Sequence, residues 1–100
     1  MLVIVWEYMV RPDRLEEFET LYRPVGPWVE LFKRSPGFLS TTLMRDTRDP
    51  HRFVIADRWT SEAAHDSFKR EFAAEYQALD ERGQRMHRAE HLIGRFHFVE

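Results

Sequence analysis

Residues 52–72 read RFVIADRWTSEAAHDSFKREF, and this stretch decides the fold. Its first part is rich in β-branched and aromatic side chains and predicts a strand through about Trp59. Thr60 and Ser61 can each accept a backbone N–H at a helix start, and Glu62 then sits favourably against the positive end of the helix dipole. Ala64, Phe68, Phe72, Tyr76 and Leu79 recur every three to four residues, which places them on one helical face. A buried strand therefore turns directly into an amphipathic helix, with Trp59 at the corner and His65 just inside the first turns. That corner is the expected position of a pocket.

Upstream, Asp46-Thr47-Arg48-Asp49-Pro50 is a turn by composition, joining this strand to an earlier one over Phe38–Arg45 as a hairpin. Ser35-Pro36-Gly37 closes the segment before it. Leu2–Val10 is a nearly continuous apolar run broken only by Glu7, the pattern of a strand buried on both faces. Arg11-Pro12-Asp13 ends that strand. Asp13 is the expected N-cap of the next helix, with Glu16 in capping-box spacing and Leu15, Phe18, Leu21 and Tyr22 as its apolar stripe. Pro24, Gly26 and Pro27 interrupt this helix, and the period resumes at Trp28, Leu31 and Phe32. Downstream, the helical pattern runs to about His87, too long for one ordinary helix. Two helices or a bend are expected, with Gly83 a weak point. Glu90–Val99 reads as the last strand, Leu92, Phe96 and Phe98 on one face, and Ile93, Arg95, His97 and Val99 on the other.

The order is βαββαβ over a single domain spanning residues 1–100. This is an α+β, ferredoxin-like arrangement: a four-stranded antiparallel sheet with helices on one face. Helices cover one face, yet the strands look buried on two. A second copy packed sheet against sheet is the simplest cover, which predicts a homodimer.

The charge balance of 15 Lys and Arg against 17 Asp and Glu offers no general attraction to nucleic acid or to an anionic membrane. The third strand also lacks the glycine-containing aromatic pattern of an RNA-recognition motif, although the element order is shared. There is no Cys, hence no disulfide, thiolate nucleophile or thiolate-bound metal. The apolar N-terminus is short and carries Glu7 without a basic leader, so neither a signal peptide nor a spanning helix is expected, and a cytoplasmic protein is the default. His87-Arg88-Ala89-Glu90-His91 matches the H-x-x-E-H pattern of some zinc proteases, but it straddles a helix-to-strand boundary, and no metal site is expected.

Several residues combine packing with possible chemistry. Trp59, Trp28, Phe68 and Tyr76 suit either the core or the wall of a cavity between sheet and helices. Glu7 and Asp57 interrupt apolar strands that are neighbours in this fold. A buried carboxylate needs a partner, and Arg95 or His97 on the other flanking strand could supply it. The alternative is a carboxylate of raised pKa acting as a base in the cavity.

With these elements in order, the chain resembles the antibiotic biosynthesis monooxygenase (ABM) superfamily of dimeric α/β-barrel proteins. The matching segments are RPDRLEEF (11–18), SPGFLS (35–40), RDTRDPHRF (45–53) and DRWTSEAA (57–64). The resemblance implies a cofactor-independent monooxygenase, using O₂ without flavin or metal on a small aromatic or polyketide-like substrate. Such a site needs a dry cavity that holds a phenol, helps remove its proton and stabilises the anion. By the same resemblance Trp59 lines the pocket. His65 stands six residues later, where the quinone-forming branch carries an aromatic hydroxyl, and its imidazole is the candidate proton acceptor. The haem-degrading branch uses an Asn on the first strand and a His on the second long helix. This chain has no Asn, and Tyr76 stands at the helix position. A non-catalytic, dimeric ligand-binding or interaction protein of the same fold is the other reading.

Overall fold

Alternation along two central strands divides the sheet into an inner and an outer face. In β1 (Leu2–Val10), Leu2, Ile4, Tyr8 and Val10 are buried, while Val3, Val5, Glu7 and Met9 are half-buried. In β3 (Arg52–Trp59), Phe53, Ile55, Asp57 and Trp59 are buried and share the inner face. The computed structural model describes residues 1–99. It adds α1 (Leu15–Tyr22), α2 (Pro27–Phe32), β2 (Phe38–Arg45), α3 (Glu62–Glu71), α4 (Ala73–Gln84) and β4 (His87–His97). The antiparallel sheet has the order β2-β3-β1-β4, the ferredoxin-like arrangement, with the helices over its inner face.

The first helix is not capped by Asp13. Residues Pro12–Arg14 form a 3₁₀ turn closed by the bond from the Arg14 amide to the Arg11 carbonyl (2.9 Å), and α1 begins at Leu15 without a side-chain cap. Pro12 favours that tight turn, which occupies the position the capping box required. Arg23, held extended at φ −65° and ψ 160°, ends α1 ahead of Pro24. The chain then re-enters a helix at Pro27. Ser61 caps α3 as expected, its hydroxyl accepting from the Ala64 amide at 3.1 Å.

The long helical segment divides at Phe72, whose φ of −110° and ψ of 30° leave the helical region between α3 and α4. Phe72 stays buried, with its ring 5.5 Å from that of Phe68, so the bend keeps the apolar stripe on the core. Gly83 has a different role. It is buried against Tyr22, and a Cβ there would overlap the tyrosine hydroxyl. The last helix stops at Gln84 rather than near His87, and β4 starts at His87 rather than Glu90.

Two register shifts along the β1–β4 pair change which residues share a face. An extra residue in one strand reverses the alternation beyond it. Leu92 therefore lies opposite Trp6 on the inner side, whereas Phe96 lies opposite Val3 on the outer side. The expected grouping of Leu92 with Phe96 does not hold. Arg95, opposite Ile4, joins the inner side and reaches Glu62 and Asp66 of α3.

Candidate active site

The inner face does not pack solid everywhere. Trp6 and Tyr8 of β1, Thr41 of β2, and Ile55 and Asp57 of β3 form the floor of a cavity. Tyr22, Trp28 and Phe32 wall one side, and Tyr76 and Asp80 of α4 wall the other, with Glu90 of β4 at the edge. The centre of a water-sized sphere has about 30 Å³ available, and the unfilled space including the mouth is about 410 Å³. The enclosed part is enough for a water or two, and the rest is space that opens to solvent at the mouth.

Local sequence explains the walls. The break at residues 23–26 separates Tyr22 from Trp28, and their rings still approach to 6.1 Å around the gap. Trp28 meets Tyr76 edge-on at 5.0 Å, bringing α2 and α4 together over the sheet. Tyr8 lies between Tyr22 at 5.2 Å and Trp6 at 6.4 Å. The Trp28 indole Nε1 is buried without a hydrogen-bond partner among the described residues.

Asp57 is the buried carboxylate of this floor, 7% exposed. Thr41, directly across the β2–β3 pair, donates its hydroxyl to Asp57 Oδ1 at 2.6 Å and is its hydrogen-bond partner among the described residues. Burial lifts its pKa to about 6, against the opposing influence of Thr41 and of the Arg58 charge. Glu90 is also pushed up by burial and then by the Asp80 charge. Tyr76 is raised to about 12 by burial, then by the charges of Asp80, Glu90 and Asp57. Tyr8 and Tyr22 are raised mainly by burial as well. At neutral pH the cavity thus combines neutral phenols with a largely ionised Asp57.

Of the residues expected to meet a substrate, Trp28 and Tyr76 line the cavity, whereas Trp59, His65 and Phe68 do not. The strand-to-helix corner is filled instead. Trp59 is fully buried against Phe38 at 5.3 Å, Phe32 at 5.5 Å and Phe68 at 5.0 Å, with His65 edge-on at 5.1 Å. His65 Nδ1 has no hydrogen bond, and Asp66 stands 3.9 Å away. Burial first, and then the Arg95 and Lys69 charges, lower the His65 pKa to about 4, so the imidazole is neutral and weakly basic at pH 7. Trp59 touches the cavity wall at second hand, through Phe32.

The expected ion pairs are rearranged. Glu7 lies on the outer face, where it binds Arg52 at 2.6 Å, with His91 at 3.7 Å; Arg52 also holds Asp46 at 3.1 Å. Arg95 and His97 pair with α3 carboxylates, at 3.7 Å and 3.6 Å from Glu62, and reach neither Glu7 nor Asp57. Facing decides this: Glu7 and Asp57 project from opposite sides of neighbouring strands. The HRAEH segment lies within β4, with His87 buried and the His91 side chain 73% exposed. Among the described residues no three His, Asp or Glu side chains converge enough to hold a metal ion, and no helix is long and apolar enough to cross a membrane.

Sequence reasoning missed Trp6, Tyr8, Tyr22, Phe32, Thr41, Ile55, Asp80 and Glu90 as cavity residues. A signal existed for Trp6 and Tyr8, which share parity with Ile4 and Val10. None existed for Glu90, whose facing depends on the bulges of β4.

Comparison with known proteins agrees with this architecture. Residues 1–82 match the family described as antibiotic biosynthesis monooxygenase. A crystal structure of an antibiotic biosynthesis monooxygenase superimposes with a TM-score of 0.78 at 23% identity, covering 100% of both chains. A putative antibiotic biosynthesis monooxygenase from Nitrosomonas europaea gives 0.79 at 19% identity, again over 100% of both. SnoaB, a cofactor-independent oxygenase from Streptomyces nogalater, gives 0.75 at 22% identity over 99% of this chain and 93% of its own. No curated protein matches the sequence. At these identities the structural likenesses establish the fold.

The raised pKa of Asp57 has a thermodynamic consequence. The folded chain holds this proton more tightly than the unfolded chain, so between about pH 4 and about pH 6 stability falls as pH rises. Asp57→Asn removes that loss. Urea denaturation should show the variant more stable than the parent at pH 7, by on the order of 2 kcal/mol, and nearly equal to it at pH 4. Lower stability of the variant at pH 7 would contradict the assignment.

Proposed function

Because the chain belongs to the antibiotic biosynthesis monooxygenase family, we propose that it is a cofactor-independent oxygenase, oxidising a small electron-rich aromatic compound with O₂ in the cavity above Asp57. One observation carries this reading: a buried carboxylate of raised pKa on the floor of an aromatic-walled cavity. Thr41 engages one oxygen of Asp57, and the other has no protein donor among the described residues. That oxygen is available to accept the proton of a phenol. A base with a pKa near the working pH is well matched to this task. The unpartnered Trp28 Nε1 and the Tyr76 hydroxyl are the donors to set against the developing oxyanion. His65, outside the cavity lining and weakly basic, yields the role of proton acceptor to Asp57. Trp59 and Phe68 take a positioning role, packing behind Phe32.

One observation favours a second reading, a ligand-binding protein without turnover. Asp80 and Glu90 add negative charge to the cavity, which makes an organic anion there more costly.

We also propose that the chain works as a homodimer through the outer sheet face. Val3, Val5, Val54 and Ala56 share that side, and Met44 and Phe96 are 44% and 49% exposed on its flanks. A two-fold partner presenting the same patch would cover it.

Oxygen consumption with a panel of dihydroxynaphthalenes tests the catalytic reading. Asp57→Asn should lower the rate at least about 100-fold, the scale of a lost general base, whereas His65→Gln should stay within a few-fold of the parent. The parent rate should climb with pH to half its plateau at about pH 6, because Asp57 must be ionised to act. The reverse order of the two variants would transfer the role back to His65. No oxygen uptake by the parent would leave the binding reading.

Assembly is tested separately by light scattering on a size-exclusion column. The parent should run at twice the 12.1 kDa chain mass, and Val54→Glu at the single mass. A parent of single mass would refute the dimer.

A further inference from the structure

The charged side chains that line the cavity are all of one sign, and the Lys69 ammonium lies over the Tyr76 ring at 4.7 Å from outside the lining. Asp57, Asp80 and Glu90 line the cavity, and no Lys, Arg or His is among its lining residues. No Arg or Lys stands within 4.0 Å of any of these carboxylates among the described residues. Asp57 has the Thr41 hydroxyl at 2.6 Å and feels the Arg58 charge, Asp80 has the Gln84 amide at 3.1 Å, and Glu90 has the His87 ring at 3.4 Å. That ring is kept neutral at pH 7, since burial lowers its pKa. Elsewhere the chain pairs its carboxylates freely: Glu7 and Asp46 with Arg52, Glu19 with Arg45, and Glu62 with Arg95. The three carboxylates do not converge on a point, so among the described residues they form no metal site. They surround a space enclosed by the rings of Trp6, Trp28 and Tyr76.

Aromatic rings carry negative faces, and a water-poor enclosure of such rings with carboxylates at its edge attracts organic cations. We propose that the cavity selects a small aromatic compound bearing an ammonium group, the positive charge held by the Trp6 and Trp28 rings and balanced by Asp57, Asp80 and Glu90. The inference rests on this cavity being the substrate site, and it names the substrate class. It also removes a conflict in the oxygenase chemistry. Burial first, and then the charges of Asp80, Glu90 and Asp57, hold the Tyr76 hydroxyl above its usual pKa, and the same surroundings would resist forming a phenolate. A positive charge on the substrate offsets the carboxylate part of that cost, so loss of the phenol proton to Asp57 leaves a zwitterion rather than a bare anion.

A pair of isosteric phenols provides the test. The 3-hydroxyphenyltrimethylammonium ion and 3-tert-butylphenol have the same shape and differ in charge. Quenching of the intrinsic tryptophan fluorescence, with Trp6 and Trp28 in the cavity wall, reports their binding to the full chain, and calorimetry repeats it. The cation should bind at least tenfold more tightly than the neutral isostere. Glu90→Gln and Asp80→Asn, at the more exposed edge of the cavity, should each shrink that preference without weakening the neutral phenol. Equal binding of the two phenols, tighter binding of the neutral one, or binding of neither would overturn the proposal. Oxygen uptake, measured in parallel, separates the two claims. A cation preference without oxygen consumption supports the ligand class and removes the oxygenase. Oxygen consumption without a preference does the opposite.

Discussion

The organising constraint is the burial of one carboxylate. Asp57 falls on the inner parity of β3, between Ile55 and Trp59, and so must enter the space where the rest of the strand meets the helices. A charged group in that position cannot be covered by apolar side chains without a large desolvation cost. One hydroxyl, that of Thr41, supplies a strong short bond. The remaining need is met by leaving room. The gap beneath α2 and α4 lies over this carboxylate, and its burial, opposed by Thr41 and Arg58, keeps the pKa raised.

The contrast with the Trp59 corner shows how local packing decides where a site can form. Phe32, Phe38, His65 and Phe68 close around the indole there, and none of them brings a charge that must stay ionised. Dense aromatic packing is then the stable outcome, and the corner becomes a rigid abutment behind Phe32. The cavity opens farther along the same sheet face, where Trp28 is positioned by the break after α1. A helix running unbroken from Leu15 to Phe32 would lack the turn at Arg23–Gly26 that separates Tyr22 from Trp28.

Much of the fold was legible in the sequence because periodicity records facing. The apolar runs of β1 and β3 marked them as the central strands without separating their faces, the Thr60-Ser61-Glu62 segment located the start of α3, and the order of elements determined the sheet. Helical period put Trp28 and Tyr76 on inward faces but left core and cavity wall open for both. What escaped were features set by interruptions of the period. The bulges in β4 reverse the facing of Leu92 relative to Phe96 and bring Glu90 to the cavity edge, and no residue type announces them. The partner of Asp57 was hidden too, since a register shift near Phe38 and Ser40 decides that Thr41 stands opposite it. Empty volume has no signature in one sequence, so the site was expected at the corner where the motifs meet.

A direct titration of the Asp57 carboxyl carbon by NMR, in the ligand-free protein, reaches the centre of this account. A midpoint near pH 6 is the predicted result, well separated from the exposed carboxylates. A midpoint near 4 would mean that water or a cation reaches Asp57 freely, and the buried base at the floor of the cavity would have to be given up.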